Sequence, residues 1–355
     1  MKRIALLGAT GSIGRQALEV IAGQPKLELV AASSGSTPIG GLAPLTQVGG
    51  DLTELLEQAE PDVVLNAVVG FAGLPATFWA LEHGVDLALA NKESLVAGGD
   101  LAVSAWRRGG GRLLPVDSEH SAAFQLLEGL DAETVGSLVL TASGGPFRGR
   151  SRAELADVSA DDALEHPTWS MGPKITVDSA TLMNKGLELI EAHFLFDLPY
   201  ERIEVVVHPT SVVHALVRLR DGAALAHLGY PDMRVPISYA LTYPDRAAAP
   251  VEPLDLAGGL ILEFGAPDLD AFPCLALARA AGELGGTAPC VLNAANEVAV
   301  AAFLENNLHF LGIPDVVERT FARIESVPAR DFAELAEIDA EARRIAAELS
   351  RQLVH

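Results

Sequence analysis

Gly8-Ala9-Thr10-Gly11-Ser12-Ile13-Gly14 stands between a short apolar run, Arg3 to Leu7, and the start of a helical pattern. Glycines let a backbone come close to a pyrophosphate, and the free N–H groups and dipole of a helix start receive its charge. The spacing is GxxGxxG, a variant of the GxGxxG dinucleotide fingerprint, and its place at a first βα turn is what gives it weight. Working outward, strand-like runs recur at Leu27 to Ala32, Asp62 to Asn66, Asp86 to Leu89 and Leu113 to Val116, with helical patterns between most of them. The unbroken apolar run Val63-Val64-Leu65 suits a strand covered on both faces. This alternation predicts an α/β chain whose residues 1–116 form a doubly wound parallel-sheet, Rossmann-like domain that binds a dinucleotide.

The end of the second strand bears on which dinucleotide. NAD sites usually carry an Asp or Glu there for the ribose 2′-hydroxyl. Here the strand runs into Ala32-Ser33-Ser34-Gly35-Ser36-Thr37 without an acid, which favours NADP. No Lys or Arg occurs between Lys26 and Lys92, so hydroxyls, backbone N–H groups or a more distant Arg15 are left to receive a 2′-phosphate.

The character changes after Val116. Strand-like runs lie at Leu138 to Thr141, Ile203 to Val207 and Val212 to Arg220, and the last leads through Asp221-Gly222, a hairpin signal, into Ala223 to Leu228. Residues 117–244 read as an α+β catalytic domain. Residues 245–272, rich in Pro, Ala and Gly, read as a connector. Helical stretches near Pro273 to Leu284, Asn293 to Leu304, Ile313 to Ile324 and Asp331 to Leu353 make residues 273–355 a C-terminal helical bundle.

Two constellations in the middle region carry chemistry. Asp117 and Glu119 close the run Arg112 to Val116; in an extended segment positions i and i+2 point the same way, so the two carboxylates would converge on one hard cation. Further on, Thr181, Asn184, Lys185 and Glu188 share a helical stripe opposite Met183, Leu187, Ile190 and Phe194. Glu188 would add a third oxygen ligand and Lys185 would hold an anion beside it. Taken singly, each pattern is also that of solvated turn carboxylates or a wet helix face.

Composition bounds the partners. The 355 residues, 49% hydrophobic and 20% charged, are enough for two or three cored domains. A formal net charge of −22 argues against nucleic acid and anionic membranes, so a phosphorylated ligand must meet local cations, helix starts or a metal. Cys274 and Cys290 are the only cysteines and show no metal-binding spacing. With no signal-like start and no apolar run near the roughly 18 residues needed to span a bilayer, a cytoplasmic protein is expected.

The ordered set Gly8 to Gly14, Ala90-Asn91-Lys92-Glu93-Ser94, Pro115-Val116-Asp117-Ser118-Glu119-His120, Ser143-Gly144-Gly145-Pro146-Phe147-Arg148, His166-Pro167-Thr168-Trp169-Ser170-Met171-Gly172 and Met183-Asn184-Lys185-Gly186-Leu187-Glu188 strongly resembles 1-deoxy-D-xylulose 5-phosphate reductoisomerase. The likeness covers nearly the whole chain, including Pro231-Asp232-Met233-Arg234 and the helical tail. It implies NADPH-dependent, divalent-metal-dependent isomerisation and reduction of 1-deoxy-D-xylulose 5-phosphate to 2-C-methyl-D-erythritol 4-phosphate, a step of non-mevalonate isoprenoid synthesis, by a homodimer.

Motif by motif, the resemblance implies Asp117, Glu119 and Glu188 as ligands of Mn²⁺ or Mg²⁺, with Co²⁺ a further option. It implies Ser143, His166, Ser179, Asn184 and Lys185 around the substrate, mainly its phosphate end, with Lys92, Ser118, Glu119 and Glu188 near its reacting oxygens. Lys92 and Glu119 would be the catalytic pair. Thr10, Gly11, Ser12, Ile13, Gly35, Ser36, Asn91, Glu93 and Gly172 would contact the cofactor. His120 is expected behind the metal carboxylates, His214 near the substrate and His208 in a structural place. The family usually has Gly-x-Asn where this chain has Gly35-Ser36-Thr37, and the stretch from there to Pro61 is shorter than usual. Two other readings explain parts of the pattern: another metal-assisted NAD(P) dehydrogenase, which leaves the Ser, Asn and Lys set idle, and a noncatalytic NADP-binding sensor, which has no need of three metal carboxylates.

Overall fold

The computed structural model describes residues 1–353, and its contacts divide them into two compact units. The first unit comprises Met1–Leu95, Ala102–Glu128 and Asp232–Leu254. Its strands are β1 (Lys2–Leu7), β2 (Leu27–Ser34), β3 (Leu45–Val48), β4 (Val63–Asn66), β5 (Asp86–Leu89) and β6 (Leu113–Pro115), all parallel in the order β3-β2-β1-β4-β5-β6. The order reverses direction between β1 and β4, the switch point at which doubly wound sheets bind nucleotides. Ile4 to Leu7 and Val63 to Leu65 are wholly buried, as strands covered on both faces require.

Helices α1 (Ser12–Gly23), α2 (Leu52–Ala59) and α3 (Leu74–Glu82) connect these strands, α4 (Lys92–Gly109) follows β5, and α5 (Ser118–Leu127) follows β6. One core joins Ile4, Leu6, Val63, Leu65 and Leu114 of the sheet to Ala17, Val20 and Ile21 of α1 and to Ile237, Ala240 and Leu241. The last three lie on a helix, Arg234–Thr242 (α9 in chain order), that sequence periodicity did not reveal. β3 was missed as well: its four residues, Leu-Thr-Gln-Val, form an edge strand too short for a pattern to show.

The second unit comprises Val96–Leu101, Gly129–Pro231 and the residues from Asp255 onward. Strands β7 (Val135–Ala142), β8 (Ile203–Val207), β9 (Val213–Leu219) and β10 (Ala224–Leu228) form a sheet in the order β10-β9-β7-β8. β9 and β10 are the hairpin expected from Asp221-Gly222, with Gly222 at φ +93°. Helices α6 (Ala160–Leu164), α7 (Pro173–Ala180) and α8 (Met183–Phe196) lie between β7 and β8. The stretch 245–272, expected as a connector, carries no helix or strand beyond an isolated bridge of Gly265 to Val207. Four helices follow: α10 (Cys274–Leu284), α11 (Ala288–Leu304), α12 (Gly312–Phe321) and α13 (Phe332–Gln352). α11 starts five residues before the expected Asn293 because Pro289 opens its first turn, where a missing N–H costs nothing.

Candidate active site

In the first unit the turn after β1 has the form its glycines predict. Gly8 sits at φ +84°, and a Cβ there would lie 2.6 Å from the Ala67 carbonyl oxygen. A Cβ on Gly14 would lie 2.2 Å from the Gly8 carbonyl oxygen. Side chains at either position would push the turn off the sheet. Gly11 then caps α1, whose first-turn N–H groups have no acceptor within the helix and suit a pyrophosphate.

The adenosine side is different. Ser33 and Ser34 are buried and turned inward: Ser33 Oγ accepts from the Gly8 N–H at 3.4 Å, and Ser34 Oγ donates to the Thr37 carbonyl at 2.5 Å. Arg15 folds back to donate to the Thr10 carbonyl, 2.5 Å away. Gly35, Ser36 and Thr37 are exposed.

Residues 91–93 and 117–120 form the unit's second chemical group. Asn91 caps α4: its Oδ1 accepts from the Ser94 N–H at 3.0 Å, and its Nδ2 donates to the Gly70 carbonyl at 2.9 Å. That cap places Lys92 and Glu93 in the first helical turn, both buried. The Lys92 ammonium forms an ion pair with Asp117 Oδ2. His120, wholly buried, holds Nδ1 3.8 Å from the same oxygen.

The expected geometry of Asp117 and Glu119 needs correction. The strand stops at Pro115; Asp117 is the residue before α5 and Glu119 lies in that helix's first turn. Helical positions two apart differ by about 200° around the axis, so the shared-face argument for an extended pair does not hold. Glu119 Oε2 instead accepts from Ser118 Oγ at 2.5 Å. Asp117 Oδ2 is buried without a hydrogen-bond donor in good geometry, although the Lys92 ammonium lies against it.

The second unit contributes two further groups. On α8, Asn184, Lys185 and Glu188 share a face as predicted: Asn184 Nδ2 donates to Glu188 Oε1 at 2.5 Å, and the Lys185 ammonium pairs with Glu188 Oε2. The face is not wet, because Lys185 is 3% and Glu188 1% exposed. Thr181 is not part of the stripe. Leu182 turns left-handed (φ +60°) ahead of α8, so Thr181 ends α7 and its hydroxyl donates to the Val177 and Asp178 carbonyls.

The other group is centred on His166. Its Nδ1 accepts from the backbone N–H groups of Thr168 (3.1 Å) and Trp169 (2.9 Å). Two donors on Nδ1 fix the ring proton on Nε2, which lies 3.0 Å from Ser143 Oγ and 3.1 Å from Ser179 Oγ. Ser143 Oγ also accepts from the Gly145 N–H at 3.1 Å, so its own proton is available for an anion. Burial pushes the His166 pKa below its usual value and favours this neutral ring. Above about pH 6.5, the ordinary histidine value, His166 is neutral whether the segment is anchored or open. As pH falls below that, the open form takes a proton first and the anchoring free energy is lost. Hydrogen exchange at the Thr168 and Trp169 amides, corrected for intrinsic pH dependence, should therefore lose protection as pH falls below about 6.5 in the wild type and not in His166→Gln. Equal protection above and below that pH would remove the Nδ1 anchor.

No spacing rule announces the Ser143, His166 and Ser179 triangle, since its members come from the end of β7, an irregular segment and α7. His208 is buried, with Nδ1 2.7 Å from the Glu263 carbonyl oxygen, in keeping with a structural place. Cys274 and Cys290 are buried free thiols; burial pushes the Cys274 pKa up to about 12 and that of Cys290 higher still, which makes both inert.

Three family models match the chain: 1-deoxy-D-xylulose 5-phosphate reductoisomerase over residues 4–48 and 42–99, the C-terminal domain of that enzyme over 113–196, and DXP reductoisomerase C-terminal domain over 228–345. The 1-deoxy-D-xylulose 5-phosphate reductoisomerase of Geobacillus sp. (strain WCH70) is 48% identical over 97% of this chain and 98% of its own length. That of Bacillus subtilis (strain 168) is 46% identical over 97% and 98%. Among solved structures, the reductoisomerase from Zymomonas mobilis in complex with NADPH superposes with a TM-score of 0.89 at 40% identity, covering 99% of this chain and all of the other. A DOX-P reductoisomerase in complex with NADPH, fosmidomycin and magnesium gives 0.91 at 38% identity, covering 99% of both.

Proposed function

The chain belongs to the 1-deoxy-D-xylulose 5-phosphate reductoisomerase family, and from that premise we propose how its own residues carry out the family's reaction. It is an NADPH- and divalent-metal-dependent enzyme that converts 1-deoxy-D-xylulose 5-phosphate to 2-C-methyl-D-erythritol 4-phosphate. Identity near one half over 97% of this chain and 98% of the relative leaves no room for a generic dehydrogenase or a sensor.

The single observation that carries the site reading is that two carboxylates largely withdrawn from water, Asp117 (side chain 12% exposed) and Glu188 (1%), are each matched to a buried ammonium, Lys92 and Lys185. Charges leave water only where something compensates them. Carboxylate oxygens are hard donors that suit Mg²⁺ or Mn²⁺, so the donor set fits the implied metal, with Asp117, Glu119 and Glu188 to hold it. Such an ion, when bound, supplies Lewis-acid polarisation of the substrate's carbonyl and hydroxyl oxygens. Lys92, released from Asp117, would face oxyanion charge as it develops, with Ser118 beside it.

Ser143, Ser179 and the Nε2–H of His166 would receive the phosphate, with Asn184 and Lys185 next to them. Binding energy at that remote end orients the reacting carbons. NADPH, held at the Gly8–Gly14 turn with Asn91, Glu93 and Gly172 near it, supplies hydride. The functional division at residues 117, 245 and 273 is part of the proposal; the compact units are cut elsewhere, since Ala102–Glu128 and Asp232–Leu254 belong to the first. Incubation with 1-deoxy-D-xylulose 5-phosphate, NADPH and Mn²⁺ should oxidise the cofactor at a steady rate and none should be oxidised in chelator; folded protein that leaves NADPH untouched would refute it.

Ser36 and Thr37 are the exposed hydroxyls of the adenosine-side loop, and no cation stands in it. Hydroxyl contacts to a 2′-phosphate are weaker than charge-assisted ones. NADPH should therefore be preferred over NADH by a narrow margin, on the order of tenfold in kcat/KM, and Thr37→Arg should widen it. Equal or better kcat/KM with NADH would mean that the missing acid was misread.

A homodimer is part of the same proposal. β10 is the open edge of its sheet, and Leu225, Leu228 and Tyr230 beside it are exposed, as are Leu256, Ile261 and Phe264. An apolar sheet edge left open to water is an invitation to pair. Light scattering should give twice the 37.2 kDa chain mass. Among the described residues no helix is long and apolar enough to cross a membrane, and a cytoplasmic place is proposed.

A further inference from the structure

α7 is eight residues long, and helices shorter than about 12 residues do not hold their form in water unaided. Its setting must come from what it touches. Asp178, 1% exposed, is the charged residue it buries. Lys174, one turn earlier, pairs with Asp178 Oδ2 at 2.9 Å. The other oxygen, Oδ1, accepts from Asn296 Nδ2 at 2.7 Å, and Asn296 lies wholly buried on α11 of the helical tail, 118 residues away in sequence. A buried carboxylate bonded by an amide donor is a directional contact, unlike the apolar packing around it.

The next residue is Ser179. Neighbouring helical residues point about 100° apart, so a helix turned to aim the Asp178 carboxylate at Asn296 aims the Ser179 hydroxyl elsewhere, at His166 Nε2, 3.1 Å away. Rotation of α7 by even part of that angle would break both contacts together. We propose that Asn296 and Asp178 are positioning residues for the substrate: their hydrogen bond fixes the rotation of α7 and thereby places Ser179 in the phosphate-binding triangle with Ser143 and His166. The helical tail then contributes to substrate affinity through a residue that touches no substrate. This inference rests on the reading of Ser179 as a phosphate contact.

The test is a double-mutant cycle with steady-state kinetics on the full-length enzyme. Asn296→Leu keeps the side-chain volume and removes the donor; it should raise KM for 1-deoxy-D-xylulose 5-phosphate about tenfold, with KM for NADPH unchanged. Ser179→Ala should raise the same KM, and Asn296→Leu added to Ser179→Ala should raise it little further, because the first substitution acts through the second residue. Asn296→Ser, whose hydroxyl is too short to reach Asp178, replaces the leucine variant if that one fails to fold. Parallel increases in both KM values, or full additivity in the cycle, would assign Asn296 a general structural role and overturn the proposal. A normal KM in Asn296→Leu, with Ser179→Ala impaired, overturns the positioning role alone. A normal KM in Ser179→Ala overturns the phosphate reading and with it this inference.

Discussion

Glu188→Gln should lose on the order of 10²-fold or more in kcat/KM, a deficit of about 3 kcal/mol in transition-state stabilisation. The substitution removes one anionic oxygen ligand and keeps the side-chain shape. It also leaves the Lys185 ammonium, buried on α8, facing an amide in place of its carboxylate. Breaking a buried pair from one side costs roughly 3–5 kcal/mol in stability, so a fall in Tm of several degrees is expected alongside the kinetic loss. The two effects separate. At a temperature where circular dichroism shows the variant fully folded, the rate deficit should persist, and the concentration of Mn²⁺ giving half-maximal activity should rise. Removing the lysine's charge as well, in Glu188→Gln with Lys185→Met, should recover part of the stability and none of the activity. Full turnover by Glu188→Gln in chelator-treated solution would contradict the ligand assignment.

The parts of this molecule that were legible in its sequence are those set by local chemistry. The Gly8–Gly14 turn, the strands buried on both faces, the Asp221-Gly222 hairpin and the shared face of Asn184, Lys185 and Glu188 each follow from period, composition or glycine conformation within a dozen residues. Where the reading failed, a local preference decided between two local structures. Leu113 to Val116 looks extended and predicts strand geometry for Asp117 and Glu119, yet Ser118 starts a helix and Asp117 becomes its flanking residue. The periodicity of α8 runs through Thr181 and predicts it on the same stripe; the left-handed Leu182 breaks the phase. The 166–172 segment shows a third limit. Proline and glycine announce an irregular segment, but nothing in its sequence says that a histidine ring will hold it by accepting two of its own amides, nor that Ser143 and Ser179 will meet that ring from the other side. α9 and the Asp178–Asn296 contact were invisible for the same reason, being decided by partners more than a hundred residues away.

Trp169→Ala should impair turnover far more than stability. A tryptophan that fills a core costs about 3–5 kcal/mol when truncated. Trp169 is half-buried, and what ties its segment down is backbone: its own N–H and that of Thr168 donate to His166 Nδ1, contacts that alanine keeps. The indole meets His214 of β9 at 6.3 Å between ring centres, tilted 51°, a loose contact worth about 1 kcal/mol. The large aromatic is thus held on a short irregular segment anchored at one end by the same histidine that would meet the phosphate. Substrate binding and placement of the indole would then be linked through His166. A lid of this kind excludes water from a reactive aldehyde and strengthens every charge interaction beneath it. The expected result is a loss on the order of tenfold or more in kcat/KM with a Tm lowered by no more than about 3 °C. Trp169 fluorescence should also change when a metal-chelating phosphonate analogue binds, and that change should vanish in His166→Ala. A Trp169→Ala enzyme that melts many degrees lower yet keeps a normal kcat/KM would establish the indole as packing and remove the lid.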